Sequence, residues 1–147
     1  MEVIQMSNNK TVFEMIIDRD IEADIIYEDE NFIAFLDAFP VVKGHTLVVP
    51  KKRIENIFDL DDETANDYLK IVRDVATAVR DAFNPEGLNV IQNNGEFAGQ
   101  SIFHIHFHIL PRYNDEHDGF GYKWVDTEFS KEERQTLADE IKSKLNA

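Results

Sequence analysis

The spacing of apolar positions changes several times along the chain, and each change predicts an element. Thr11-Val-Phe-Glu14 has the form of a capping box, with Thr11 at the N-cap and Glu14 reaching back. It predicts a short helix running to about Arg19. Two runs rich in Ile and Phe, Asp24–Glu28 and Phe32–Asp37, flank Asp29-Glu30-Asn31 and predict a hairpin. A turn at Pro40–Gly44 leads to the β-branched run His45–Val49, a predicted strand ended by Pro50. From Asp61 to Phe83 the period becomes helical. Ala65, Leu69, Val72, Ala76, Val79 and Phe83 share one face, acidic residues load the first turn, and Asn84-Pro85 stops the helix. Leu88–Gln92 predicts another strand, and Asn93–Gln100 a loop. Ile102–Leu110 alternates strictly and predicts the most distinct strand, ended by Pro111. Asn114–Tyr122 is polar and predicts a loop. Ser130-x-x-Glu133 is a second capping box, opening a helix with Leu137, Ile141 and Leu145 on one face.

Strands and helices do not alternate regularly, which predicts an α+β fold with a mostly antiparallel sheet. The length of 147 residues fits one domain, and no repeat or linker divides it. The expected organisation is an N-terminal arm over residues 1–10, a domain over 11–113, and a C-terminal loop and helix over 114–147 belonging to the same domain.

Composition narrows the function. Hydrophobic residues make up 43% of the chain, with eleven Phe, enough for a core. Against 15 Lys and Arg stand 29 Asp and Glu, a formal charge of −14. That charge argues against general nucleic-acid binding and against an anionic membrane surface. The absence of Cys removes disulfides, Cys-ligated metal and cysteine nucleophiles. No apolar run approaches the roughly 20 residues of a membrane helix. The expectation is a soluble, cytoplasmic protein.

Three of the five His stand in His104-Ile-His106-Phe-His108. On a strand the three imidazoles would share one side, and Ile105, Phe107 and Ile109 the other. A solvated strand face is the plainest explanation, but three His in register ask for more. A metal could take two of them with a carboxylate from elsewhere, but not all three. The outer pair would lie about 13 Å apart on a strand, while zinc needs each nitrogen within about 2.1 Å. Nucleophilic catalysis is the third reading, with one neutral ring attacking and its neighbours fixing a tautomer or moving a proton. Charge placement points to a phosphate. Val41–Arg53 and Phe97–Tyr113 contain no acidic residue and carry four of the five His, together with Lys43, Lys51, Lys52, Arg53 and Arg112. Gly99-Gln100-Ser101, just before the His row, allows close backbone approach and offers amide and hydroxyl donors.

Asn93 followed by Ala98-Gly-Gln-Ser-Ile-Phe-His-Ile-His-Phe-His-Ile-Leu-Pro-Arg112 resembles the signature of the histidine triad (HIT) family, His-φ-His-φ-His-φ-φ with φ apolar. Ile26–Asp37 and Gly44–Lys51 match as well, and the compact prokaryotic branch is the most similar. The resemblance implies a five-stranded, mostly antiparallel sheet continued across a homodimer. It implies a nucleotidyl hydrolase acting at the α-phosphate of nucleoside 5′-phosphate derivatives, of the purine phosphoramidate or dinucleoside polyphosphate type, with no cofactor. By the same resemblance His106 is the nucleophile that forms a nucleotidyl-histidine. His108 contacts the phosphate and helps the leaving group depart, while His104 and His45 support the site. Asn93, Gly99, Gln100 and Ser101 surround the phosphate, Asp37 takes the ribose hydroxyls, and Phe13, Ile16, Phe35 and Leu36 wall the base. A slowly turning nucleotide-binding protein is the alternative. Many prokaryotic members hold a structural zinc through a C-x-x-C pair near the start and a His after the Pro-Lys segment. Thr11, Glu14 and Arg53 stand there instead, so that zinc site is expected to be absent.

Overall fold

A computed structural model describes residues 9–114 and 125–145. Most of the N-terminal arm and of the Asn114–Tyr122 loop, including His117, lie outside the described residues.

Helix α1 (Val12–Ile17) leads into the hairpin of β1 (Ile25–Glu28) and β2 (Phe32–Leu36). Strand β3 (Thr46–Pro50), helix α2 (Asp62–Phe83), β4 (Gly87–Gln92), β5 (Phe107–Arg112) and α3 (Lys131–Leu145) follow. The sheet is five-stranded and antiparallel throughout, in the order β1-β2-β3-β5-β4. This is the α+β fold that the pattern and the resemblance predict. Helix α2 carries the chain past β3 so that β5 can enter between β3 and β4.

Period-two alternation divides the apolar residues between the two sides of the sheet. Phe32, Ala34, Val48 and Ile109 face α2 and pack with Tyr68, Val72, Val75 and Val79. Ile33, Phe35, Leu47 and Val49 face the other way and pack with Phe13 and Ile16 of α1. His108 lies opposite Leu47 in the register, so its imidazole shares the α1 side. Both capping boxes form. Thr11 Oγ1 accepts from Glu14 N–H at 3.1 Å while Thr11 N–H donates to Glu14 Oε1 at 3.0 Å, and Ser130 and Glu133 exchange the same pair of bonds.

Three sequence expectations need correction. The strand predicted over Ile102–Leu110 begins only at Phe107, and it runs through Pro111 to Arg112. Residues 101–106 form an irregular, tightly tied segment beside the chain that leaves β3. Ile105 N–H donates to Ile54 O at 2.7 Å, and Gln100 Nε2 donates to Glu55 O at 2.6 Å. Pro111 does not end its strand, because it is accommodated as a strand residue opposite Leu88, whereas Pro50 is itself the last residue of β3, opposite Phe32. On α2 the buried face is Tyr68, Val72, Val75 and Val79, and Leu69 is exposed.

Candidate active site

The site is built by anchoring three of its rings to backbone groups that allow only one role, and the fourth to one of those rings. Carbonyl oxygens only accept, and amides only donate. His104 Nε2 lies 2.8 Å from Pro50 O, so Nε2 carries the proton. Its bare Nδ1 then receives the Thr11 hydroxyl at 3.2 Å. His106 Nδ1 lies 2.8 Å from His104 O, so Nδ1 carries the proton and Nε2 keeps a free lone pair. Val41 N–H donates to His45 Nδ1 at 3.2 Å, which leaves the proton on His45 Nε2. That proton points to His108 Nδ1 at 2.9 Å, so His108 offers Nε2–H. The fold thus sets one lone pair on His106 beside one N–H donor on His108, with ring centroids 4.8 Å apart.

Burial keeps these rings neutral. Desolvation pushes His45, His104 and His106 below the ordinary imidazole value, and neighbouring charge only modifies that. His108 falls to about 3, through burial and then the adjacent His106 and His45. Phe13 stands edge-on to His104 and His106, at 5.7 and 4.9 Å between centroids, and joins the ring cluster to the core.

A cavity of about 300 Å³ opens against His106 and His108. Phe13, Ile16, Phe35, Leu36 and Asp37 line it, and so does Ser101. The structure adds wall residues that the motif reading missed, among them Ile21, Ala23, Leu47 and the exposed Phe39. Ile21 and Ala23 lie in a connection without periodic signal, so no pattern could single them out. Asp37 Oδ1 accepts from Phe39 N–H at 2.8 Å, and Oδ2 lies 3.5 Å from His45 Nε2. His45 and His104 sit behind the cavity and reach it through the other rings. Asn93 reaches toward Gly99 O at 3.5 Å, and Gly99 holds a φ of 101°. Gln100 is buried and its side chain bonds Gly95 N–H, Glu55 O and Ile102 O. Its own amide donates to Gly95 O, so Gln100 shapes the loop and has no donor left for a ligand.

The cations do not gather where their sequence placement suggested. Lys51 pairs with Glu28, Lys52 with Asp61 and Arg53 with Glu14, and Lys43 lies over the Phe83 ring. Among the described residues no Lys or Arg lines the cavity, and Glu22, Asp24 and Asp37 do. An anion here would meet neutral donors: His108 Nε2–H and the Ser101 hydroxyl.

Two metal sites can be tested against the donor sets. Asp37, His45 and His108 bring one ligand atom each within 4.8 Å of one another. Coordination would need a lone pair on His45 Nε2, which moves its proton to Nδ1, against the Val41 amide. The bonding sense therefore suits a proton-fixing chain better than a ligand set. At the family's zinc position stand a Thr hydroxyl, a Glu paired with Arg53, and a guanidinium, which is always charged. Those residues do not fit zinc.

Comparison with known proteins agrees with the geometry. The HIT domain matches residues 18–115. Protein hit of Bacillus subtilis is 47% identical over 136 residues, 91% of this chain and 93% of that protein. The adenosine 5′-monophosphoramidase of Schizosaccharomyces pombe is 40% identical over 134 residues, 91% of this chain and 97% of that one. The crystal structure of a B. subtilis HIT family protein superposes with a TM-score of 0.88 at 46% identity, covering 91% of this chain and 96% of that one. With its sheet order, its tied His segment and these relatives, the chain belongs to the histidine triad family.

Proposed function

We propose that the protein is a nucleoside phosphoramidase that hydrolyses a purine nucleoside 5′-phosphoramidate through a nucleotidyl-His106 intermediate. The observation that carries this reading is the fixed pair of a bare His106 Nε2 and a protonated His108 Nε2 at one end of an apolar cavity. Nε2 of His106 bonds to the α-phosphorus while the P–N bond breaks and its electron pair leaves with nitrogen. An amine that enters protonated departs neutral, so His108 need not be a cation; His106, bonded to phosphorus with its Nδ1 proton kept on His104 O, carries the positive charge until water displaces it. His108 Nε2–H and the Ser101 hydroxyl stabilise the phosphate oxygens. Water then displaces His106, one proton passes to solvent, and the nucleoside monophosphate leaves. Asp37 accepts the ribose hydroxyls, and Phe13, Ile16, Phe35 and Leu36 hold the base. Asn93 and Gln100 serve by holding the phosphate loop.

The absence of Lys and Arg among the described cavity residues favours the phosphoramidate over a dinucleoside polyphosphate, whose extra charges ask for cations. Catalysis by the fission-yeast relative supports the same choice. The proposal includes a homodimer with the sheet continued across it, and β4 stands at a sheet edge. Steady-state assays of adenosine 5′-phosphoramidate and of diadenosine polyphosphate test the reading. Turnover that favours the phosphoramidate by about tenfold or more and is lost in His106→Ala is expected. Tight nucleotide binding without turnover would make the chain a binding protein instead.

A further inference from the structure

We infer that Thr11 positions His106 through His104, within a lock closed by Glu14 and Arg53 rather than by a metal ion. The inference rests on the proposed role of His106 as nucleophile. Thr11 is fully buried, and its hydroxyl works in both directions. It accepts from Glu14 N–H at 3.1 Å, as any N-cap oxygen would, and it donates to His104 Nδ1 at 3.2 Å, 93 residues away in sequence. Capping alone needs only an acceptor, which Asp supplies equally well. A buried group that must also donate to a bare ring nitrogen needs the hydroxyl proton.

The contact leads directly to the nucleophile. With Thr11 on one nitrogen and Pro50 O on the other, the His104 ring has one orientation and one tautomer. The carbonyl of the same residue receives the His106 Nδ1 proton at 2.8 Å, which keeps the His106 Nε2 lone pair free. Loss of the Thr11 proton orphans His104 Nδ1 in a buried site and frees the ring to turn, and the carbonyl moves with it. Glu14 and Arg53 close the lock from outside. Glu14 Oε1 accepts from Thr11 N–H at 3.0 Å and lies 3.2 Å from Arg53 Nη1, so the start of α1 is tied to the chain that leaves β3. A metal held at positions 11, 14 and 53 would tie the same two segments together. The residues present do so with hydrogen bonds and one ion pair, so a chelator has nothing to remove.

Thr11→Val and Thr11→Ser are compared with the wild type at a temperature where circular dichroism shows all three folded. In Thr11→Val, kcat for adenosine 5′-phosphoramidate is expected to fall about tenfold with KM within about twofold. Thr11→Ser is expected to stay within about threefold of the wild type. Ring ¹⁵N NMR should find the His106 Nδ1–H signal in the wild type and in Thr11→Ser, and find it shifted or broadened in Thr11→Val. The melting temperature of the wild type should be the same with and without EDTA. A folded Thr11→Val that keeps both kcat and the His106 signal overturns the inference, as does a Thr11→Ser that loses as much as Thr11→Val. A melting temperature lowered by EDTA overturns the metal-free lock. If the wild type turns over no nucleotide, the hydrolase reading fails, and the NMR and chelator arms still decide this one.

Discussion

At the level of single residues, chemistry here is set by groups that cannot change role. Three backbone contacts, from Pro50 O, His104 O and Val41 N–H, fix the protons on three imidazoles, and the His45 Nε2–H fixes that of the fourth, His108. Because burial holds His106 and His108 below the ordinary value of about 6.5, both remain neutral in mild acid. The acid limb of kcat against pH is therefore expected well below pH 6.5; a limb at 6.5 or above would show an ordinary, solvated ring. His45→Ala removes the proton that makes His108 a donor. It should lower kcat by about ten- to a hundredfold and change KM little, as measured by steady-state kinetics. The residues were legible in the sequence, since His104, His106, His108, His45 and Asp37 all carry a motif. Their proton positions were not, because they depend on carbonyls and amides that any residue type could supply. Nor did sequence place the cations: Lys51, Lys52 and Arg53 read as a phosphate patch, and each found a carboxylate outside the cavity.

Among the elements, alternation proved a guide to sides rather than to ladders. Ile105 and His106 do point opposite ways, but the segment before Phe107 bonds to Ile54 and Glu55 instead of a neighbouring strand. An extended chain of any kind has period two, so the pattern could not distinguish them. Helix α2 carries two overlapping stripes that share Val72 and Val79. The sheet buries the stripe with Tyr68, whose hydroxyl donates to Val48 O at 2.7 Å and whose ring meets Phe107. Composition gave Leu69 the better claim, and only tertiary packing decides against it. Gly44 shows how the β2–β3 turn depends on one residue. It has a φ of 89°, and a Cβ there would stand 2.9 Å from the Phe83 ring. Gly44→Ala should cost about 1–3 kcal/mol and lower the melting temperature by roughly 2–4 °C per kcal/mol, read by calorimetry. An unchanged melting temperature would mean that the turn can relax away from α2.

For the whole molecule, the −14 charge and the site are largely separate matters. The acidic surface disfavours polyanions, while the proposed function asks the cavity to take one phosphate through neutral donors. No helix among the described residues is long and apolar enough to cross a membrane. The buried rings make stability depend on pH in a definite direction. Above about pH 6.5 the four rings are neutral whether the chain is folded or not. Below it the unfolded chain takes up protons that the folded rings refuse, His108 among them with its value of about 3. Stability should then fall with acidity by up to about 1.4 kcal/mol per pH unit for each ring. Melting curves from pH 7.5 to 4.5 check this; a midpoint that stays flat across that range would contradict it. The most direct test of the central claim is intact-protein mass spectrometry after rapid quench with adenosine 5′-phosphoramidate. A transient adduct of one AMP, present in the wild type and absent in His106→Ala, is the predicted result. AMP released with no adduct at any time point, or an adduct that persists in His106→Ala, would contradict a nucleotidyl-His106 intermediate.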